Sequence, residues 1–188
     1  MSKKLLSLKL IILGQKFVGK TALIKDYIGS SKTIHKKKEK DGKISFLKEL
    51  DSSDSIQQFK IIINRFSEKS EKIINTINES QCVVILFDMG SRKSFEKLLD
   101  DWLIFLRDSC HYKGQVFIFG KHCDKNDPLM TDEMEIKEMI RISEVDCSFF
   151  NIGNNDIEEN NKIIDQLITK AIEYAKTNNS NKKDCEVF

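Results

Sequence analysis

Short apolar runs alternate with helical patterns along most of this 188-residue chain, and this alternation restricts its fold more than any other feature. The clearest run, residues 82–87 (Cys-Val-Val-Ile-Leu-Phe), is unbroken and rich in β-branched side chains, as is typical of a strand covered on both faces. Residues 94–108 and 160–176 have apolar side chains at helical spacing. The order of these patterns predicts one three-layer α/β domain with a mostly parallel sheet.

The predicted strands and helices follow from period and turn chemistry. Strands are predicted over residues 5–13, 44–50, 56–63, 82–87, 116–119 and 148–152, and helices over 20–27, 68–80, 94–108, 131–141 and 160–176. The Asp-Ser-Ser-Asp turn at 51–54 predicts that the second and third strands form an antiparallel hairpin. The Lys-rich stretch 29–43 is predicted to be a loop, and residues 177–188 a flexible tail.

The turn between the first strand and the first helix has the pattern G-x-x-x-x-G-K-[ST], which is typical of a loop that binds phosphates. Backbone N–H groups of such a loop surround phosphate oxygens, and the helix N-terminus adds partial positive charge. The lysine contacts the β- and γ-phosphates and the threonine hydroxyl can bind Mg²⁺. The alternative is a chance match with an ordinary strand-to-helix turn. The candidate nucleotide-binding residues are Gly14, Gln15, Lys16, Phe17, Val18, Gly19, Lys20 and Thr21, with Thr21 also the candidate metal ligand.

Two further segments resemble motifs of one family: residues 84–88 (Val-Ile-Leu-Phe-Asp) and residues 94–96 (Ser-Phe-Glu). Together with the phosphate-loop pattern, they make the chain from 5 to 176 resemble a small GTPase of the Ras superfamily. Trp102 lies where Rab-type members often have a tryptophan, which favours that branch slightly. The resemblance implies a P-loop nucleotide-binding fold with a six-stranded sheet and five helices. It also implies GTP or GDP and Mg²⁺ as ligands, effector and regulator proteins as partners, and a monomer.

The family recognises guanine with N-K-x-D after the fifth strand, and here residues 121–124 read Lys-His-Cys-Asp. The resemblance makes Lys121, His122 and Asp124 candidate base-binding residues, with Asp124 accepting hydrogen bonds from guanine. The Asn and Lys of the motif are replaced, so only its Asp is kept. The alternative for Asp124 is a turn cap.

Other family motifs are altered more deeply. In place of D-x-x-G-Q after the third strand, the chain has Asn64, Ser67 and Glu68. An amide cannot supply the carboxylate charge that supports Mg²⁺, and Glu68 would bring an anion toward phosphate. The bulk of Lys16 and Phe17 would crowd the γ-phosphate. These departures predict weak GTP hydrolysis, and they leave no confident catalytic residue.

The last four residues, Cys185-Glu186-Val187-Phe188, fit a C-a-a-X prenylation motif. Lys182 and Lys183 lie just before it and would add modest attraction to an anionic membrane. An incidental cysteine is the alternative. The motif predicts a protein held at the cytosolic face of a membrane through Cys185.

Composition excludes several other classes. Lys plus Arg number 31 and Asp plus Glu 29, a balance that argues against a nucleic-acid binder. The five cysteines are scattered and have no C-x-x-C pair, which argues against a disulfide framework or a zinc site and favours the reducing cytosol.

Two functions therefore remain open from the sequence. The first is a membrane-tethered GTP-binding switch of Ras or Rab type in vesicle traffic or signalling. The second is a pseudo-GTPase that uses the same fold as a nucleotide-independent protein-binding module.

Overall fold

The structure is a computed structural model that describes residues 6–32, 34–40, 43–52, 55–121, 131–153 and 156–184. Within these ranges seven strands form one sheet: β1 (Leu6–Leu13), β2 (Ile34–Lys40), β3 (Lys43–Ser52), β4 (Ser55–Arg65), β5 (Cys82–Asp88), β6 (Gln115–Lys121) and β7 (Cys147–Ile152). The helices over the same residues are α1 (Lys20–Ser30), α2 (Glu71–Asn78), α3 (Arg92–Lys97), α4 (Glu133–Ser143) and α5 (Ile157–Asp184). Helix α3 continues in π-helical turns over Leu98–Leu103 and Phe105–Ser109.

The strand order is β2-β3-β4-β1-β5-β6-β7. The neighbours from β4 to β7 pair in parallel, whereas β2, β3 and β4 pair antiparallel. This arrangement confirms the predicted α/β class, the mostly parallel sheet, the five helices and the β3–β4 hairpin. The sheet has one strand more than the six that the resemblance implied.

The additional strand is β2, and it corrects the prediction of a loop over residues 29–43. Its sequence, Ile-His-Lys-Lys-Lys-Glu-Lys, has no apolar alternation, so pattern analysis could not identify it. The strand lies at the sheet edge, where it pairs only with β3, and its register shifts between His35 and Lys38. A charged, irregular edge strand is a common protection against unwanted pairing with other chains.

Helix α5 also extends further than predicted. Its backbone runs to Asp184 and so includes residues 177–184 of the segment predicted to be a flexible tail. The segment 157–184 contains neither Gly nor Pro, so no strong helix breaker interrupts it. None of the described helices is long and apolar enough to cross a membrane.

The sheet separates two hydrophobic cores. Helices α1 and α5 cover one face, where Leu10, Ile12 and Val84 are buried. Helices α2, α3 and α4 cover the other, where the predicted core stripe of α3 includes the buried Trp102 and Leu106. Because β1, β4, β5 and β6 are parallel, their carboxyl ends meet at one edge of the sheet, and the candidate site lies there.

Candidate functional site

The phosphate loop joins β1 to α1 in a conformation that depends on its two glycines. Gly14, Phe17 and Gly19 have positive φ angles of 137°, 67° and 96°. A Cβ atom on Gly14 would lie 2.2 Å from the Leu86 carbonyl oxygen, which belongs to the backbone of β5. Gly19 precedes α1 and has no side chain to cap it, so the free N–H groups of the first helical turn lie at the loop. The loop therefore has the backbone form required for an anion site.

Lys20 is the central cation of the loop. Its Nζ atom donates hydrogen bonds to the carbonyl oxygens of Gly14, at 2.7 Å, and Gln15, at 2.5 Å. The side chain is only 7% exposed, and burial, together with the nearby positive charge of Arg65, lowers the pKa of Lys20 to about 8. An ammonium group held in this way needs an anion to reach its ordinary pKa, and a phosphate would supply that anion.

The aromatic side chain in the loop does not fill the phosphate site. Phe17 is completely exposed, at 101% of its reference area, whereas the neighbouring Val18 is buried in the core under α1 and α5. Lys16 forms an ion pair with Glu68, which lies between β4 and α2. The loop is thus open toward solvent on the side where Phe17 projects.

Thr21, predicted as a Mg²⁺ ligand, has a different partner. The Arg65 guanidinium donates a hydrogen bond from Nη1 to the Thr21 hydroxyl oxygen at 2.7 Å. A Mg²⁺ ion bound to that oxygen at ~2.1 Å would lie within about 5 Å of the guanidinium nitrogen. Two such charges repel by roughly 2 kcal/mol in bulk water, and by several times more at the lower effective dielectric constant near a protein surface.

The described side chains around Thr21 offer no cluster of metal ligands. Among the described residues, no three His, Cys, Asp or Glu side chains come together as a group that could hold a metal. Asn64, predicted to stand where the family has a carboxylate, is an amide and is in register with Ile11, on the face of the sheet away from α1. The residues that the structure describes around Thr21 therefore do not fit a magnesium ion.

Arg65 is the residue that sequence analysis missed at this site. Side chains alternate across a strand, so Arg65 lies on the same face of β4 as the buried Ile61 and Ile63, toward α1. Asn64, which was predicted to occupy the metal position, lies on the opposite face. The period of two from Ile61 and Ile63 is the sequence signal that could have identified Arg65.

The segment after β4 contacts the loop through charge. The Lys16 ammonium beside Glu68 holds the pKa of that carboxyl below its usual range, so Glu68 stays ionised. Ser67 is half-buried beside it. The carboxylate predicted to lie near the phosphate loop, that of Glu68, is therefore there, and it is paired with Lys16 of the loop.

Of the three predicted base-binding residues, the structure describes only Lys121. Lys121 ends β6, and its Nζ atom lies 3.0 Å from where a Cβ atom on Gly19 would stand, so its side chain lies against the phosphate loop. His122 and Asp124 lie outside the described residues. Cys185 of the prenylation motif also lies outside them.

Comparison with known proteins gives a family match but no match to a curated protein. The Ras family model matches residues 9–173, from β1 into α5, and the match includes the whole phosphate loop. The chain therefore belongs to the Ras family and is a small GTPase of Ras type.

Proposed function

We propose that the protein is a guanine-nucleotide-binding switch of Ras or Rab type that hydrolyses GTP weakly and acts at a membrane in vesicle traffic or signalling. Ras-family domains in general bind GTP or GDP with Mg²⁺ and contact effector and regulator proteins. The observation that carries the proposal is the phosphate loop, in which two glycines at positive φ support the buried cation of Lys20.

Weak hydrolysis follows from the groups around the loop. Efficient family members use a glutamine to orient the attacking water, and an amide side chain can both donate and accept for this purpose. Glu68 at the corresponding position is an ionised acceptor that pairs with Lys16. A carboxylate in that place repels the γ-phosphate instead of stabilising its transition state. We therefore expect a bound triphosphate to persist much longer than in a GTPase with the glutamine.

Guanine preference rests on Asp124 and on Lys121, whose side chain lies against Gly19. The carboxylate of Asp124 would accept from the guanine N1–H and exocyclic amine, a pair that adenine cannot offer. We therefore expect guanine nucleotides to bind and adenine nucleotides to bind far more weakly.

Nucleotide identity and occupancy test the proposal directly. Chromatography of the denatured extract of purified protein should show bound GDP or GTP, and GDP but not ADP should raise the melting temperature. Lys20→Met should lose the copurified nucleotide, and should show no thermal shift at the GDP concentration that saturates the wild type. Lys25→Met is a matched control, because Lys25 is exposed on the same helix α1. Empty protein without a thermal shift from any guanine nucleotide would end the nucleotide-binding proposal.

Membrane attachment is proposed through prenylation of Cys185, with Lys182 and Lys183 adding attraction to anionic lipid. Cys185→Ser should move the protein from the membrane fraction to the supernatant of a cell lysate and remove the added mass of the lipid. An unmodified Cys185 in the intact protein would contradict the anchor but not nucleotide binding.

A nucleotide-independent binding module is the second candidate. It is favoured by the hydrogen bonds that the loop residues make within the protein. Lys20 donates to the carbonyls of Gly14 and Gln15, and Arg65 donates to Thr21. In that case Lys20→Met would leave capture of a protein partner unchanged, whereas a switch would lose capture that depends on nucleotide.

A further inference from the structure

We propose that Arg65 takes the place of the magnesium ion, so that its guanidinium binds the phosphates of the nucleotide and binding does not depend on divalent cations. This inference rests on the proposed nucleotide-binding function and specifies how the phosphate charge is neutralised. The contact that leads to it is the 2.7 Å hydrogen bond from Arg65 to Thr21, the hydroxyl predicted to bind the metal.

The fold holds Arg65 at the edge of the phosphate loop. Arg65 ends β4 and is in register with Ile12 of β1, two residues before Gly14. The N–H of Phe66 donates to the Ile12 carbonyl at 3.0 Å, so pairing of the strands continues past Arg65. The guanidinium therefore extends from a backbone that is fixed relative to the loop.

The charge at this position has the same sign as that of the ion it replaces. In the family a Mg²⁺ ion brings positive charge to the phosphates. Here the guanidinium of Arg65 brings positive charge to the Thr21 hydroxyl, beside the phosphate loop. A guanidinium also matches phosphate geometry, because its planar N–H groups can donate two parallel hydrogen bonds to two oxygens.

The same contact works against a metal ion. The cationic guanidinium of Arg65 already occupies the Thr21 oxygen, to which the metal ion would have to bind. Lys20, on the same loop, adds a second positive charge close to Arg65. Metal and guanidinium therefore compete for one position, and the chain supplies the guanidinium.

Binding of a fluorescent GDP derivative to nucleotide-depleted full-length protein tests the proposal. The dissociation constant should be the same in excess EDTA as in excess magnesium. Arg65→Ala should weaken binding about 10- to 100-fold in both buffers, the loss expected for charge-assisted hydrogen bonds. Arg141→Ala is the matched control, because Arg141 is exposed on α4, which packs on the other face of the sheet.

Arg65→Asp gives the reciprocal result. A carboxylate beside Thr21 restores a magnesium-binding pair, so this variant should bind weakly in EDTA and regain affinity with magnesium. Spectroscopy of Mn²⁺ reports the metal directly: the wild-type GDP complex should immobilise none, and the Arg65→Asp complex should immobilise one ion. Melting curves without nucleotide show whether each variant is folded. If Arg65→Asp does not fold, the Arg65→Ala variant alone provides the test.

Three results would overturn the inference. They are wild-type binding that is lost in EDTA, wild-type affinity in Arg65→Ala, and Mn²⁺ immobilised in the wild-type complex. Each of them leaves nucleotide binding itself standing. Failure of the wild type to bind GDP in either buffer would instead remove the proposed function and this inference together.

Discussion

Lys20 is a buried cation whose protonation should change when a nucleotide binds. Burial, and after it the charge of Arg65, lower the pKa of the free lysine to about 8, so near pH 8 about half of the molecules have a neutral Lys20. A polyphosphate beside the ammonium favours the charged form and raises the pKa again. Binding should therefore take up ~0.1 proton at pH 7, about 0.5 at pH 8 and about 0.9 at pH 9.

The same shift sets the pH dependence of affinity. The lysine pKa is higher in the complex than in the free protein, so the favourable contribution is complete below pH 8 and is lost as pH rises toward the pKa of the complex. The association constant should be level between pH 7 and the free pKa, and should then fall by up to tenfold for each pH unit. At pH 8, where the proton is measured, the terminal phosphate contributes almost no proton of its own, because its pKa near 6 leaves it about 99% ionised.

Isothermal titration calorimetry measures the proton directly. The apparent binding enthalpy of GDP at pH 8 is compared among buffers of different ionisation enthalpy, and the slope is the number of protons taken up. Lys20→Leu should bind GDP more weakly, so its titration needs a higher protein concentration. The slope of its binding enthalpy against buffer ionisation enthalpy should be near zero. Lys25→Met, altered on the exposed side of α1, should keep the wild-type slope.

Two outcomes would refute this reasoning. One is full binding of GDP by the wild type with no proton taken up at pH 8. The other is an unchanged slope in Lys20→Leu, which would place the proton on another group.

Three further variants test the packing that supports the site, each by urea denaturation at neutral pH. Gly14→Ala should lower the free energy of unfolding by roughly 3 kcal/mol or more, since its Cβ would lie 2.2 Å from the Leu86 carbonyl oxygen at a φ of 137°. Gly29→Ala, whose Cβ meets nothing within 4 Å in α1, should instead raise it by about 0.5 to 1 kcal/mol. Tyr27→Phe should lower it by about 1 to 2 kcal/mol, because the buried hydroxyl donates to the Asp165 carboxylate at 2.6 Å.

Each of these expectations has a clear contrary result. A Gly14→Ala protein as stable as the wild type would show that the loop tolerates a side chain there. A destabilised Gly29→Ala would mean that the end of α1 is not helical in solution. Equal stability of Tyr27→Phe would show that water replaces the hydroxyl without cost.

Much of the fold was predictable because its signals are local. Strands β5 and β6 contain continuous apolar runs, β1 ends in one at residues 10–13, and the helices have apolar side chains at their own period. The charged edge strand β2 was missed because its sequence has no apolar alternation, and its strand form comes from ladder pairing with β3. The extent of α5 was missed because its polar end resembles a disordered segment in composition.

The candidate site divides in the same way. The phosphate loop was predictable from eight consecutive residues, because glycines at fixed places determine its backbone and the lysine follows at once. The departures at Asn64 and Glu68 were also visible in the sequence. What each of them contacts was not, since Glu68 meets Lys16 only after the chain has folded.

The α/β class and the loop between β1 and α1 follow from local signals, namely periodicity and short-range turn chemistry, and the departures from the family's catalytic pattern follow from residue identity alone. The cation that lies beside Thr21 follows instead from the way the chain folds. Arg65 is 44 residues away, and it reaches the hydroxyl because parallel pairing of β4 with β1 sets its position. A one-residue change of register would have turned Arg65 to the other face of the sheet, and that register depends on which strands pair.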